Sequence, residues 1–319
     1  MSRTYKYVAI SLPRQKAGRD DGNPAVGGID EPFSATCLKK NIKGGMFRMF
    51  DQAMAQKAAD NLILVREKKP LVHNITNYVV MNYTANALLA CGASPVMAHA
   101  IEEVEEMVAL AGALVLNIGT LSLPWIEAML KAGKRANALK VPVILDPVGS
   151  GATRLRTDSA KRIIEEVSIQ VIRGNASEIL SLAGEGSGSS TKGVDSVHTV
   201  GQAAETAMSL AKELKTTLAI TGAVDLITDG KQVYRVLNGH EMMGCITGTG
   251  CTATVLIGAF LTIDPDPLQA ATCGLSYFGL AGEQAAANSS GPGSFQTALL
   301  DALYLMKEED LKAGAKIQV

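Results

Sequence analysis

The residues best suited to chemistry lie in a glycine-rich stretch at residues 244–259. Gly-Thr-Gly-Cys at residues 248–251 is followed by small and apolar residues, which predicts a loop that enters a buried helix. Gly248 and Gly250 let the backbone approach a ligand closely, because glycine has no Cβ. The first N–H groups of a helix lack intrahelical partners and lie at its positive end. Such a turn therefore favours anions, above all phosphate.

Cys251 stands at the mouth of this turn. A helix N-terminus should lower the pKa of its thiol, although a bound polyphosphate would raise that pKa again. The pattern alone also fits a glycine turn before a helix that simply packs through small residues. The turn is not a Walker A loop, because Gly-Lys-Ser/Thr does not follow the glycines.

Two carboxylates and one arginine lie near predicted strand ends. Asp146 follows an apolar run, and Glu178 opens the helix after a later strand. Together they could hold a hydrated Mg²⁺, which takes one or two carboxylates plus phosphate oxygens. Alternatively, Asp146 is a polar turn residue before a proline, and Glu178 completes a helix capping box with Asn175. Arg173 could bind phosphate through both guanidinium nitrogens, or it could be an ordinary surface arginine.

The elements that must position these residues alternate between strand and helix. Continuous apolar runs at residues 113–118 and 141–145 are typical of buried parallel strands. Strand–helix alternation repeats at least five times, which predicts an α/β fold with a mostly parallel sheet and helices on both faces. Ligands of such sheets bind beyond the carboxyl ends of the strands. The polar or glycine-rich peptides at these ends should share one rim with the 248–251 turn; they are residues 73–77, 117–120, 146–149, 173–178 and 220–222.

Hydrophobic periodicity predicts the remaining elements. The expected helices are residues 46–67, 78–91, 101–110, 123–138, 157–167, Val200–Leu214, 268–288 and 294–307, the last ending the fold. An Asp-Gly turn at residues 229–230 predicts a hairpin between Asp225–Thr228 and residues 232–236. Residues 184–193 are rich in glycine and serine and are expected to form a flexible surface loop.

Composition excludes several classes of protein. The 30 basic and 31 acidic side chains nearly balance and aromatic residues make up 4%, which argues against nucleic acid as a partner. The longest apolar runs are about half of a membrane span. No Cys-x-x-Cys pair occurs and the four histidines are far apart, which argues against structural zinc. Five cysteines without paired spacing indicate free thiols in a reducing, cytoplasmic compartment.

The first 45 residues differ in composition from the rest of the chain. Residues 1–16 are basic with no acid, whereas residues 20–32 are rich in Gly, Asp and Pro. Acidic Asp20 and Asp21 come too early for a good transit peptide. We therefore expect a poorly ordered extension at residues 1–45 and a single folded domain at residues 46–319.

Taken in order, the motifs resemble those of the hydroxyethylthiazole kinase family, within the ribokinase-like superfamily. They are Pro-Leu-Val-His-Asn-Ile-Thr-Asn (70–77), Thr-Ala-Asn (84–86), Gly-Ala-Ser-Pro-Val-Met (92–97), Asn-Ile-Gly-Thr (117–120), Leu-Asp-Pro-Val-Gly (145–149), Gly-Ala-Thr (151–153), Ile-Arg-Gly-Asn-Ala-Ser-Glu (172–178), Gly-Thr-Gly-Cys (248–251) and Gly-Pro-Gly-Ser-Phe (291–295). Each motif is modest, but the ordered set is specific and covers roughly residues 46–307. The first 45 residues lie outside the pattern.

The resemblance implies a ribokinase-like fold and a defined reaction. The family transfers the γ-phosphate of ATP to the hydroxyl of 5-(2-hydroxyethyl)-4-methylthiazole, which gives the thiazole phosphate and ADP. It also implies a homotrimer with the thiazole pocket at a subunit interface. By the family pattern, Met97 and Gly248 contact the thiazole, Arg173 and Thr221 contact ATP, and Asp146 and Glu178 serve Mg²⁺.

For Cys251 the resemblance leaves two roles open. Sister kinases of the superfamily carry an aspartate general base at this position. The thiol either takes the proton late or orients the hydroxyl.

Three other interpretations remain at this point. One is a related vitamin kinase or an ATP-dependent dehydratase of the same superfamily. A second is a thiol redox enzyme that uses Cys251 with Cys245 as its resolving partner. A third is a nucleotide-binding regulator without catalysis, although the complete set of polar strand ends argues against it.

Overall fold

The computed structural model describes residues 50–183 and 200–319, with backbone alone at residues 200–202. The predicted extension at residues 1–45 and the predicted loop at 184–193 lie outside the described residues. The strands are β1 (Leu71–Ile75), β2 (Ser94–Val96), β3 (Ala113–Asn117), β4 (Val143–Asp146), β5 (Val171–Asn175), β6 (Thr217–Thr221), β7 (Asp225–Thr228), β8 (Val233–Val236) and β9 (Ile317–Gln318). The helices are α1 (Gln52–Lys68), α2 (Met81–Cys91), α3 (Val104–Leu110), α4 (Leu123–Leu139), α5 (Arg154–Glu166), α6 (Ala176–Leu180), α7 (Val200–Leu214), α8 (Thr249–Leu261), α9 (Pro267–Ala287), α10 (Pro292–Leu305), α11 (Glu308–Gly314) and a 3₁₀ helix at Glu241–Cys245.

These strands form one sheet in the order β2-β1-β3-β4-β5-β6-β7-β8-β9. The first six are parallel, and β7, β8 and β9 are antiparallel. The predicted mostly parallel α/β sheet and the predicted hairpin after β6 are therefore confirmed.

Successive side chains of a strand point to opposite faces of the sheet, so the core has two layers. On β3, Ala113 and Val115 join one apolar cluster, which includes residues of α1, α2, α8 and α9. Leu114 and Leu116 point to the opposite face and join a second cluster with α4 and α5. Both faces of the sheet are thus covered, as the unbroken apolar runs predict.

Several predicted boundaries differ from the structure. The helix predicted from residue 46 begins at Gln52, because the Asp51 carboxylate caps it by accepting from the N–H groups of Ala53 and Met54. The chain does not end its fold at residue 307: α11 and β9 come after it, and β9 pairs with β8. A two-residue strand is too short to leave a periodic signal.

Strand register brings the polar strand ends to one rim. Asn117 at the end of β3 pairs with Asp146 at the end of β4. Asn175 at the end of β5 pairs with Thr221 at the end of β6. Within the part of the chain that the structure describes, no helix is long and apolar enough to cross a membrane.

Candidate active site

The glycine turn enters α8 as the sequence predicts. Gly248 is the N-cap of the helix, with φ 89° and ψ 0°, in the left-handed region that favours glycine. A Cβ at this position would also lie 2.8 Å from Cγ1 of Val80. The helix beyond the turn is buried from Thr252 to Leu261. The first N–H groups of α8 therefore open at the rim of the sheet.

Arg173 lies against this turn. A Cβ at Gly250 would stand 2.5 Å from Nη1 of Arg173, so only glycine leaves room for the guanidinium. Nη2 donates a short hydrogen bond to Oγ1 of Thr221, and Nη1 lies 3.8 Å from Oδ1 of Asp146. The side chain is 11% exposed, which excludes the ordinary surface arginine. The structure thus brings Arg173, Thr221 and Asp146 together.

Asp146 is fully buried, and only one of its two carboxylate oxygens accepts hydrogen bonds from the part of the chain that the structure describes. Its Oδ2 accepts from Nδ2 of Asn117 at 2.8 Å and from Oγ1 of Thr254 at 2.9 Å. Among the described residues, its Oδ1 has no hydrogen-bond partner. Burial raises the pKa of Asp146 to about 6, although the positive charge of Arg173 opposes the shift. A buried carboxylate oxygen without a partner is costly, so this is more than a polar turn residue.

Glu178 holds two loops together. Its Oε2 accepts from the N–H of Asn175 at 2.9 Å, and Oδ1 of Asn175 accepts from the N–H of Glu178 at 2.9 Å. The predicted capping box is confirmed. Oε1 accepts from the N–H of Gly149, just after Asp146, at 2.8 Å. The charge of Glu178 also contributes to the raised pKa of Asp146, as expected of neighbouring carboxylates.

Asp146 and Glu178 are two neighbouring carboxylates and no more. The described residues contain no group of three or more His, Cys, Asp or Glu side chains able to hold a metal ion. That excludes a zinc-type cage over residues 50–183 and 200–319. Oδ1 of Asp146 accepts no hydrogen bond from the described residues, which fits a hard cation that keeps its waters and binds phosphate oxygens, as Mg²⁺ does.

Cys251 differs from its expected state. Its Sγ accepts from Nδ2 of Asn117 at 3.1 Å, and Nδ2 of Asn77 lies 3.6 Å away. Burial, and then the negative charge of Asp146, raise the pKa of the thiol to about 12. The predicted lowering by the helix N-terminus is therefore wrong, because desolvation and a nearby carboxylate outweigh the helix dipole. A thiol held neutral is also a poor redox nucleophile, which argues against the Cys251–Cys245 interpretation.

The sequence analysis placed Asn77 and Asn117 in the peptides of this rim without giving either a role, and it missed Thr254. Asn77 donates to Oδ1 of Asn117 at 2.8 Å, which links the ends of β1 and β3. Both asparagines lie in the polar strand-end peptides, where an amide directly after a buried strand was the available signal. Thr254 gave no such signal, because it lies inside an apolar helix.

A cavity of about 470 Å³ opens beside Arg173, a size typical of small-molecule sites. It is lined by Arg173, Thr221, Gly222, Ala223, Asp225, Asn238, Gly239, His240, Glu241, Met243, Gly244, Thr249, Gly250, Ala253, Leu275, Phe278 and Gly279. One wall is apolar, through Leu275 and Phe278. Asp225 adds a half-buried carboxylate to the lining, and desolvation raises its pKa to about 6.

Met97 and Gly248 are not among the residues that line this cavity. Met97 is half-buried just after β2, and its carbonyl accepts from Nδ1 of His99 at 3.2 Å. The His99 ring stacks on Trp125, and Tyr78 meets Trp125 edge-on. Gly248 nevertheless directly precedes Thr249 and Gly250, which line the cavity, whereas Met97 lies on a different part of the chain after β2.

Comparison with known proteins gives consistent results. The model of the hydroxyethylthiazole kinase family matches residues 62–309. A hydroxyethylthiazole kinase of Desulfotalea psychrophila is 63% identical over 261 residues, which are 82% of this chain and 95% of the relative. One of Methanocella arvoryzae is 51% identical over 265 residues, which are 83% of this chain and 98% of the relative.

Solved structures agree. The hydroxyethylthiazole kinase protein of Pyrococcus horikoshii OT3 superposes with a TM-score of 0.76 at 47% identity, covering 82% of this chain and 98% of that one. A ribokinase-like superfamily protein of Enterococcus faecalis has a TM-score of 0.57 at 13% identity, covering 83% and 98%. At that identity the likeness shows the fold alone, and the expected ribokinase-like fold is confirmed.

Proposed function

The chain belongs to the hydroxyethylthiazole kinase family, and we propose roles for its own residues in the reaction of that family. It is an ATP-dependent phosphotransferase, which phosphorylates the hydroxyl of 5-(2-hydroxyethyl)-4-methylthiazole in thiazole salvage for thiamine biosynthesis. The observation that carries the assignment of roles is the buried Asp146 carboxylate. Its free Oδ1 lies beside Arg173, at the same rim as the turn into α8.

ATP lies in the 470 Å³ cavity, with its phosphates toward Arg173 and Thr221. The bond from Arg173 to Thr221 and the close approach of Gly250 hold the guanidinium in one orientation. A fixed guanidinium can bind phosphate through two nitrogens and loses little entropy in doing so. The apolar wall at Leu275 and Phe278 suits the base of the nucleotide.

Asp146 and Glu178 would hold Mg²⁺ together with ATP. Oδ1 of Asp146 accepts no hydrogen bond from the described residues, whereas both oxygens of Glu178 accept backbone N–H groups, so Glu178 would serve the ion through water. Mg²⁺ keeps several waters and is often bound by one or two carboxylates plus phosphate. When bound, it supplies positive charge that neutralises the phosphate oxygens.

The thiazole alcohol binds near Met97 and Gly248, at the mouth of α8. Phosphoryl transfer needs alignment and charge neutralisation more than covalent chemistry. The N–H groups at the start of α8 stabilise charge on the transferring group. A thiol with a pKa near 12 is neutral at physiological pH, so Cys251 orients the hydroxyl and does not withdraw its proton early.

The protein assembles as a homotrimer whose thiazole pocket lies between subunits. Support comes from an apolar face here defined as Tyr78, Val79 and Leu123, which are 66%, 64% and 71% exposed. Tyr78 contacts Trp125 of α4, the helix that Leu123 begins. Exposed apolar faces of this kind mark protein contacts. A reducing, cytoplasmic location agrees with the four described cysteines, all of which are free.

The test is ADP release from Mg-ATP, with and without hydroxyethylthiazole, and with a mass measurement of the product. We expect ADP formation that depends on the thiazole, together with a thiazole phosphate. Asp146→Asn should lower kcat by about 100-fold or more, because the charge at the transferring phosphate is lost. A panel of other vitamin alcohols separates a relaxed kinase from a specific one. ADP release without thiazole, or ATP binding without turnover, would contradict the assignment.

A further inference from the structure

Asn117 is a buried amide whose orientation is fixed by the backbone. It lies at the last position of β3 and is 2% exposed. The N–H of Gly119 donates to its Oδ1 at 2.9 Å. A backbone N–H can only donate, so the side-chain oxygen must face Gly119. The amide nitrogen must then face the opposite way, toward Asp146 and Cys251.

Both hydrogens of this nitrogen have acceptors. Nδ2 donates to Oδ2 of Asp146 at 2.8 Å and to Sγ of Cys251 at 3.1 Å. Oδ1 accepts a second bond, from Nδ2 of Asn77, at 2.8 Å. A carboxamide has two donors and two acceptor sites, so all four are used. A fully satisfied buried polar group rigidifies its surroundings.

Asn77 braces the same unit from β1. Its Nδ2 lies 3.6 Å from Sγ of Cys251, and its Oδ1 accepts from the N–H of Val79 at 3.1 Å. A Cβ at Gly119 would stand 2.5 Å from Nδ2 of Asn77, so the chain is closely packed behind it. The sulfur of Cys251 therefore accepts from an amide at the end of β3 and from one in the loop after β1, which leaves its S–H directed away from them.

We propose that Asn117 is a positioning residue that joins Asp146 and Cys251 into one hydrogen-bonded unit. The Asn117 amide keeps Sγ of Cys251 as a hydrogen-bond acceptor, so that the S–H points toward the hydroxyl of the thiazole alcohol. The same amide holds the Asp146 carboxylate through Oδ2 and leaves Oδ1 without a hydrogen bond from the described residues. The proposal rests on the roles given above to Asp146 and Cys251, and it adds that neither group keeps its place without Asn117. Displacements of about 1 Å at reacting groups can cost about 100-fold in rate.

A kinetic cycle tests the proposal with Asn117→Ala, Cys251→Ala and the double variant. Asn117→Ala should lower kcat by about 10- to 100-fold and change KM for either substrate by less than about threefold. Because Asn117 acts partly through Cys251, the double variant should be within about threefold of the slower single variant. A double variant slowed by the product of the two single effects, or a raised KM with unchanged kcat, would overturn the proposal.

Asn137 provides the matched control. Its amide also binds backbone, donating to the carbonyl of Ser168 at 2.9 Å and accepting from the N–H of Ser168 at 2.7 Å, but it lies beyond the opposite edge of the sheet. Asn137→Ala should keep kcat even if its melting temperature falls. Should Asn117→Ala fail to fold, Asn77→Ala removes the brace alone and is expected to lower kcat by a smaller factor, again at unchanged KM.

Alkylation of Cys251 by iodoacetamide, without ATP or metal, gives a readout independent of the kinase assay. Peptide mass spectrometry separates Cys251 from the exposed Cys245. The Asn117 amide donates to the sulfur and so favours its thiolate, the form that reacts; Asn117→Ala should therefore be alkylated at least about threefold more slowly than the wild type. Asn137→Ala should match the wild type. An unchanged Cys251 rate in Asn117→Ala would overturn the proposal, whatever the substrate of the kinase proves to be.

Discussion

Cys251 occupies the third position of α8, and because its thiol is neutral it makes a poor base. Cys251→Ala should keep the fold and slow kcat by about 10-fold without abolishing it, because the turn amides and Asp146 remain. Steady-state kinetics with a circular dichroism melt checks both parts. Cys273→Ala is the control, since that thiol is buried in α9 against the sulfur of Met54. The control should cost stability and leave kcat unchanged, whereas full kcat in Cys251→Ala would remove the thiol from the mechanism.

The raised pKa of Cys251 gives a second prediction at the residue scale. With the pKa raised to about 12, the thiolate is the minor form at neutral pH and grows as pH rises. Its alkylation rate should climb about tenfold per pH unit between about pH 7 and 10 without reaching a plateau. Rates of modification measured by peptide mass spectrometry across this range check the slope. A plateau near pH 8 would mean that the helix N-terminus prevails over burial after all.

Single residues also show where sequence reasoning stopped. Asp146 and Arg173 were predictable as rim residues, because each follows a recognisable apolar run. The state of Cys251 was not, since it depends on Asn77, Asn117 and Asp146, which come from three other strand ends. Local sequence describes the helix terminus, whereas desolvation is set by long-range packing.

At the scale of elements, the glycine turn into α8 must leave room for the Arg173 side chain of β5. In Gly250→Ala the new methyl would meet Nη1 of Arg173 at 2.5 Å and push the guanidinium from Thr221. We expect KM for ATP to rise about 10-fold, with a smaller loss in kcat and little change in melting temperature, since alanine suits a helix. Initial-rate kinetics with ATP varied at saturating thiazole checks the change.

The control is Gly293→Ala, in the first turn of α10, where nothing lies within 4 Å of the added methyl. It should leave KM for ATP unchanged and hold or raise the melting temperature. If Gly250→Ala bound ATP as well as Gly293→Ala does, Arg173 would not depend on the turn for its position.

Elements with strong periodicity were predicted closely, and short ones were not. Asp225–Thr228 and Val200–Leu214 have the predicted bounds, whereas α3 begins at Val104 and not at residue 101. The 3₁₀ helix at Glu241–Cys245, α11 and β9 were absent from the prediction. Each is seven residues or shorter, and tertiary contacts hold it: β9 pairs with β8, and its Ile317 carbonyl accepts from the N–H of Asp51. Such contacts leave no local pattern.

At the scale of the whole molecule, the apolar face of Tyr78, Val79 and Leu123 accounts for the proposed trimer. Leu123→Glu puts a charge on this face at the first position of α4, where the helix dipole tolerates it. We expect the protein to shift from trimer toward monomer, because a buried unpaired charge at an interface costs several kcal/mol. Light scattering coupled to size exclusion measures the mass.

Leu110→Lys is the matched control for this face. Leu110 is 72% exposed, close to the 71% of Leu123. It ends α3 just before β3 begins, so it lies near the amino ends of the strands, whereas Leu123 follows the carboxyl end of β3. The control should keep the mass of three chains. Since the proposed thiazole pocket lies between subunits and the ATP cavity within one, Leu123→Glu should lower kcat/KM for the thiazole far more than nucleotide binding. A monomeric wild type, or a monomeric Leu123→Glu with full thiazole activity, would mean that each chain builds its pocket alone.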